Sequence, residues 1–330
     1  VASAPIDTLE SEYKALAEGC GVLDRSERGK LALSGSGAVE FLNGQVTNEL
    51  MTLHPGEGSY AAFLTPKGKM LGDMRILAVG ERPGEPPTEL LLDTERVALQ
   101  PLFDMIRRFK IGYEVELHKR TLERGLVSLI GPDAVALVGG GETGYLPDLE
   151  QANAPAQIEG VATLAIRTDV GVDLICDAAD TDPLLAILRE RGALPVSESA
   201  AECLRVERGR PRYGVDLDDS VIPQEAGLNE RAVSFTKGCY VGQETVARLH
   251  YKGKPNRHLR GLQLSAPTSI GEELLLGERV VGHVGSAVLS PRLGPIALAL
   301  VRREAEPGAT VSVGEHGASA EVLALPFPAR

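Results

Sequence analysis

The densest group of reactive side chains in this sequence is Phe235-Thr-Lys-Gly-Cys-Tyr-Val-Gly-Gln-Glu244. A thiol, Cys239, follows a glycine and stands two residues from a cation, Lys237. A bare backbone and a nearby ammonium favour thiolate over thiol, which suits sulfur nucleophile chemistry. A small thiol between glycines also suits plain core packing, because free cysteine is commonly buried. The charge balance inverts around this segment. From 237 to 260 the cations are Lys237, Arg248, Lys252, Lys254, Arg257 and Arg260, and Glu244 is the one carboxylate, a local +5 in a chain of net charge −12. That contrast marks either a solvated loop or a local anion site. A second cluster is Arg205-Val-Glu-Arg-Gly-Arg-Pro-Arg-Tyr-Gly-Val-Asp216, where charged residues leave a helix end and enter a Gly/Pro loop. Glu207 there is either a surface ion-pair partner or a buried carboxylate that recognises the edge of a donor-rich heterocycle.

Other candidates are weaker. Gly35-Ser36-Gly37 follows a strand and opens a helix, but Glu40 stands where a dinucleotide fingerprint needs its third glycine. Gly68-Lys69 has Phe63 where a Walker motif starts with glycine, and Gly139-Gly140-Gly141 leads into no helix. The four cysteines, Cys20, Cys176, Cys203 and Cys239, are scattered without a C-x-x-C pair, so no metal site or disulfide framework is expected. The 330 residues are 43% hydrophobic and 24% charged, ordinary globular composition for roughly two domains. Aromatics are 4% with no Trp, which argues against a general nucleic-acid coat. The longest apolar run, Ile296 to Val301, is far short of the ~20 residues of a membrane span. The first residues carry neither a basic region nor an apolar core, so they are not expected to be a signal peptide, and the few scattered cysteines suit a reducing cytoplasm.

The elements that must position these groups follow from period and turn chemistry. A first helix carries Leu9, Tyr13, Leu16 and Ala17; Lys30–Leu33 reads as a strand, and a short helix carries Phe41 and Leu42. Residues 58–79 read as a hairpin turning at Pro66-Lys67-Gly68. ERPGEPP (81–87) is a loop tip, Glu89–Leu92 a strand, and Thr94–Phe109 an amphipathic helix with Val97, Leu102, Met105, Ile106 and Phe109 inward. Tyr113–Leu117 reads as a strand and 139–160 as a surface excursion. Ser199-x-x-Glu202 reads as a capping box. Residues 33–42 echo residues 129–138, each a strand end, a glycine turn and a helix start on Ala-Val. Beyond about residue 256, short strands at close spacing predict a separate barrel or sandwich.

These residues carry a family resemblance. Lys237-Gly-Cys-Tyr-Val-Gly-Gln-Glu244 resembles the signature of the YgfZ-type folate-binding proteins, in the superfamily of the glycine-cleavage T-protein, an aminomethyltransferase. Leu33–Asn48 resembles that superfamily's opening block, Gly58–Asp73 its folate-contacting hairpin, and Arg205–Asp216 with Ile222-Pro-Gln-Glu225 its central helix and following loop. The resemblance implies a three-lobed α+β ring: two interleaved α+β lobes over 1–255 that hold tetrahydrofolate, then a β-barrel over 256–330. It implies that Tyr60 lines the folate pocket, Asp73 sits near the reactive end, Glu207 binds the pterin edge, and Lys237, Cys239 and Gln243 form the family-specific loop. One departure is informative: the T-protein shows two adjacent aspartates where this chain reads Gly72-Asp73. The resemblance therefore implies a tetrahydrofolate-binding factor that supports assembly or repair of iron–sulfur enzymes, including tRNA-modifying ones. Asp73, Lys237 and Cys239 would carry any catalysis, and 237–260 would meet a polyglutamate tail or tRNA. The alternatives are an aminomethyltransferase that delivers a one-carbon unit to tetrahydrofolate, and a non-catalytic scaffold that docks tRNA or an acidic partner.

Overall fold

The computed structural model describes residues 6–80, 84–139, 146–315 and 317–328, apart from the side chains of Ile6 and Asp7. Residues 81–83 of the expected loop tip and Gly140-Gly141 of the glycine triplet lie outside the described residues. In chain order the elements are α1 (Ile6–Glu18), β1 (Gly21–Asp24), β2 (Gly29–Ser34), α2 (Ala38–Asn43), β3 (Gly58–Leu64), β4 (Met70–Val79), β5 (Glu89–Thr94), α3 (Arg96–Phe109), β6 (Glu116–Lys119), β7 (Arg124–Ile130) and α4 (Ala134–Val138). Then follow β8 (Asn153–Ile158), β9 (Val161–Thr168), β10 (Gly171–Asp177), α5 (Thr181–Glu190), β11 (Leu194–Pro195), α6 (Glu198–Glu207), α7 (Asn229–Ala232), α8 (Gln243–Lys252), β12 (Arg257–Leu264), β13 (Glu273–Leu276), β14 (Arg279–Ser290), β15 (Gly294–Arg302), β16 (Thr310–Val313) and β17 (Ala318–Leu323).

The fold is α+β with a C-terminal closed barrel, as expected. The chain divides into two compact units: Val1–Phe63, Leu71–Ala200 and Ala232–Val241 form one, and Leu64–Met70, Ala201–Arg231 and Gly242–Arg330 the other.

The first unit holds two sheets, ordered β3-β4-β5-β2-β6 and β11-β1-β7-β10-β9-β8. Strand β1 of the second sheet precedes every strand of the first, so the two sheets interleave along the chain. The echo seen in sequence is real structure: β2 leads through Gly35 into α2, and β7 leads through Gly131 into α4, one copy per sheet. Strands β7 and β10 are central and buried along nearly their whole length, and the polar residues in their interiors, Ser128 and Asp173, are hydrogen-bonded to each other.

Four local expectations need correction. In α3 the buried stripe is Ala98, Leu102 and Ile106, while Val97 and Phe109 are exposed. Residues four apart stack on one face, and Val97 lies one step round the helix from that row. The strand expected at Tyr113–Leu117 is β6, Glu116–Lys119, because Lys110 to Tyr113 closes a turn, the Tyr113 N–H bonding the Lys110 carbonyl. The excursion at 139–160 contains an edge strand, β8, whose Pro155 an edge position tolerates. Helix α6 starts before Ser199, and Ser197 is the residue that caps it, its Oγ accepting the Ala200 N–H at 3.4 Å.

The second unit contains the barrel, closed in the order β12-β15-β14-β13-β16-β17. Its interior is filled by Leu262, Leu274, Val284, Ala297, Val301, Val311 and Val322. A second apolar cluster packs Val206 of α6 with Leu259, Leu293, Ile296, Leu298 and Phe327.

Candidate functional site

In the first unit, the β3–β4 hairpin brings Tyr60 and Asp73 together. The Tyr60 hydroxyl donates to Asp73 Oδ2 at 2.6 Å, and Asp73 is 6% exposed. An ionised acceptor makes this one of the stronger classes of hydrogen bond. The neighbouring position is closed to a second carboxylate. A Cβ built on Gly72 would lie 2.6 Å from Phe63 Cε1 and 2.7 Å from the Ala98 methyl. Only glycine clears those contacts.

Lys237 belongs to the same unit and reaches the same hairpin indirectly. It is 7% exposed, and its ammonium donates to the carbonyls of Asn43 (2.7 Å), Val46 (2.9 Å) and Asn48 (2.6 Å). An ammonium has three N–H donors, and each finds a carbonyl. Burial pushes this group down to about 8, and the carboxylate of Glu49 acts in the opposite sense. Asn48 then passes the constraint on: its side-chain amide donates to the Tyr60 carbonyl at 3.0 Å. Lys237, Asn48, Tyr60 and Asp73 thus form one continuous chain of contacts.

The segment bearing Cys239 is fastened at both ends to the stretch around α2. Ser234 N–H donates to the Thr47 carbonyl at 3.0 Å, and Val241 N–H donates to the Gly44 carbonyl at 3.3 Å. Between these anchors Gly238 has open space around its Cα, and Cys239 is exposed. Tyr240 turns inward, with its ring 5.3 Å from the Lys237 ammonium, and burial pushes its phenol up to about 12. The loop therefore presents a thiol on a fixed frame.

In the second unit, Glu207 is the last residue of α6 and is 4% exposed, so it is a buried ion-pair partner rather than a surface one. Its Oε1 accepts from the Ser290 hydroxyl and its Oε2 from Arg292 Nη2 at 3.0 Å. The loop after the helix is shaped by Arg205, whose guanidinium donates to Glu202 (2.9 and 2.7 Å), Asp216 (2.9 Å), the Arg210 carbonyl and Ser286. Every branch of that fork meets an acceptor, which ties the C-terminal end of α6 to the loop that follows it. Gln243 opens α8 and is partly buried.

The basic stretch is not one surface. Lys237 is buried in the first unit, and Arg257 pairs with Glu225 at 3.0 Å in the second. The exposed cations of the stretch are Arg248, Lys252 and Lys254, on and just after α8. Reading by residue type missed Asn48, Ser290 and Arg292. Asn48 closes the opening block, so its place in a recurring pattern was a signal; Ser290 and Arg292 occupy an ordinary hairpin turn and gave none.

Comparison with known proteins covers nearly the whole chain. The GCVT N-terminal domain matches residues 3–237, and the glycine cleavage T-protein C-terminal barrel domain matches residues 257–328. An aminomethyltransferase of Streptomyces avermitilis is 31% identical over 96% of this chain and 88% of its own length. A putative chloroplastic transferase of Arabidopsis thaliana is 27% identical over 98% of this chain and 75% of its own. The crystal structure of aminomethyltransferase T of the Bartonella henselae glycine cleavage system superposes with a TM-score of 0.85 at 23% identity, over 97% of this chain and 89% of that one.

Proposed function

Because the chain belongs to the glycine cleavage T-protein family, we propose that it binds tetrahydrofolate and serves one-carbon or thiol chemistry at the cofactor's reactive end. The observation that carries this reading is Glu207. A carboxylate that is 4% exposed is costly to keep, and it suits the paired N–H donors of a pterin edge. The Tyr60 hydroxyl fixes the Asp73 carboxylate at 2.6 Å, and that carboxylate supplies a single charge to orient the reactive end. When bound, tetrahydrofolate supplies a carrier for the one-carbon unit. This chain's own part is to bind the pterin through Glu207, hold Asp73 through Tyr60, and present Cys239 on the loop that Lys237 fastens. The exposed Arg248, Lys252 and Lys254 suit the carboxylates of a polyglutamate tail.

Two readings of what the folate serves remain distinct, each with its own observation. The Lys237–Glu244 signature and the closed position at Gly72 favour a YgfZ-type factor that maintains iron–sulfur enzymes, including those that modify tRNA. The relatives named aminomethyltransferase favour one-carbon transfer to tetrahydrofolate, and they support that reading more directly than they support iron–sulfur maintenance.

Calorimetric titration with tetrahydrofolate tests the shared claim. Glu207→Ala should weaken binding about ten- to a hundredfold, the equivalent of roughly 1.5–3 kcal/mol of charge-assisted bonding. Wild-type affinity in that variant would overturn the assignment. Release of ammonia with formation of methylene-tetrahydrofolate from an aminomethyl-lipoyl carrier would select the transferase. Its absence, together with loss of iron–sulfur enzyme activity in cells that carry only Cys239→Ser, would select the maintenance factor.

A further inference from the structure

A carboxylate at the end of α6 is held against two opposing effects. The last turn of a helix carries the negative end of its dipole, which disfavours an anion there, and burial disfavours it further. The Glu207 side chain is nevertheless 2% exposed. What offsets this comes from the turn joining β14 to β15. The Ser290 hydroxyl accepts the backbone N–H groups of Arg292 (3.1 Å) and Leu293 (2.9 Å), so its own proton is directed to Glu207 Oε1. Arg292 Nη2 meets the other oxygen at 3.0 Å. The apolar layer beneath fixes the distance between helix and turn, because Val206 packs in one cluster with Leu293 and Ile296.

We propose that Arg292 and Ser290 are positioning residues for folate. They hold one oxygen each of Glu207 and set the plane of its carboxylate for the paired donors of the pterin ring. The proposal rests on the reading of Glu207 as the pterin's partner. Arg292 acts through Glu207 and is 38% exposed, so its removal leaves the core intact.

The test is tetrahydrofolate titration of Arg292→Lys, Arg292→Gln, Ser290→Ala, Glu207→Gln and the double variant Arg292→Gln/Glu207→Gln, with thermal melting to verify that each is folded. Arg292→Gln should weaken binding about tenfold or more, Arg292→Lys should keep the affinity within about threefold, and the double variant should be no weaker than Glu207→Gln by more than about twofold. The same loss should appear with a tetrahydropterin that lacks the benzoylglutamate tail. Wild-type or tighter binding in Arg292→Gln, or additive losses in the double variant, overturns the proposal. So does a loss that vanishes for the tail-less pterin, which would make Arg292 a tail contact. Wild-type affinity in Glu207→Gln overturns the pterin reading itself, whereas weak binding there beside unchanged Arg292→Gln overturns only the positioning role. If Arg292→Gln does not fold, Ser290→Ala, which removes the bond to Glu207 together with the two that the hydroxyl accepts within the turn, is read by the same criteria once melting shows it folded.

Discussion

Lys237 and Cys239 stand two residues apart and face opposite surroundings. The lysine spends its donors on three backbone carbonyls and fastens the loop, while the cysteine next to the open Gly238 is exposed. The other thiols are buried. Burial pushes Cys203 up to about 12, helped by the charge of Glu207, and Cys20 up to about 11, helped by Asp133; it raises Cys176 as well. A thiol reagent reacts through the thiolate, so both burial and these shifts slow all three. A disulfide-exchange reagent near neutral pH should therefore modify one thiol in the native protein and four in denaturant, and none in native Cys239→Ser. Rapid reaction of a second native thiol would contradict this.

At the scale of the element, the β3–β4 hairpin is built around the absence of a side chain at Gly72. Phe63 and Ala98 fill the space that a Cβ would need. Gly72→Ala should cost about 1–3 kcal/mol through overpacking, seen as a lower thermal midpoint. Gly72→Asp should cost more, since it adds a carboxylate to a packed apolar contact. A folded, stable Gly72→Asp variant would mean that the hairpin can host the paired aspartates of the transferase after all, and would remove this argument for a separate branch of the family.

Across the first unit, an ion network ties the two sheets together. Asp93 of β5 is fully buried between Arg28 and Arg75, and Arg75 also reaches Asp173 of β10, which in turn accepts from Ser128. Burial opposes the charged form of Asp93, but the two guanidiniums outweigh it and hold the carboxyl at about 2, against 3.8 ordinarily. The folded-state value is the lower one, so the contribution to stability is complete above about 3.8 and is lost as pH falls towards 2, worth roughly 2 kcal/mol. Asp93→Asn should remove that acid-sensitive part and cost about 1.5–3 kcal/mol at neutral pH, because it leaves Arg28 with Glu95 and Arg75 with Asp173 as their remaining carboxylates. Urea unfolding of both proteins at pH 7 and pH 3 checks this; equal stability at pH 7 would show that the network contributes nothing.

Much of the fold was legible because it rests on local rules. The hairpin at 58–79, the strand–glycine–helix echo and the closely spaced strands after 256 all follow from turn residues and two-residue alternation, which neighbours in sequence determine. The Lys237–Glu244 signature likewise marks its loop by residue type alone. What stayed hidden depends on partners far along the chain. Whether Glu207 is a surface acid or a buried one is decided by Ser290 and Arg292, 83 and 85 residues away. Whether Lys237 lies beside a thiol or under a loop is decided by carbonyls 189 to 194 residues away. Backbone carbonyls carry no residue identity, so no spacing of side chains announces them as the seat of an ammonium. The face of α3 and the cap of α6 turn on the same distinction. Period shows that a helix has an apolar side, but Ala98 rather than Val97 faces inward because the neighbouring sheet, not the helix, chooses the row it covers.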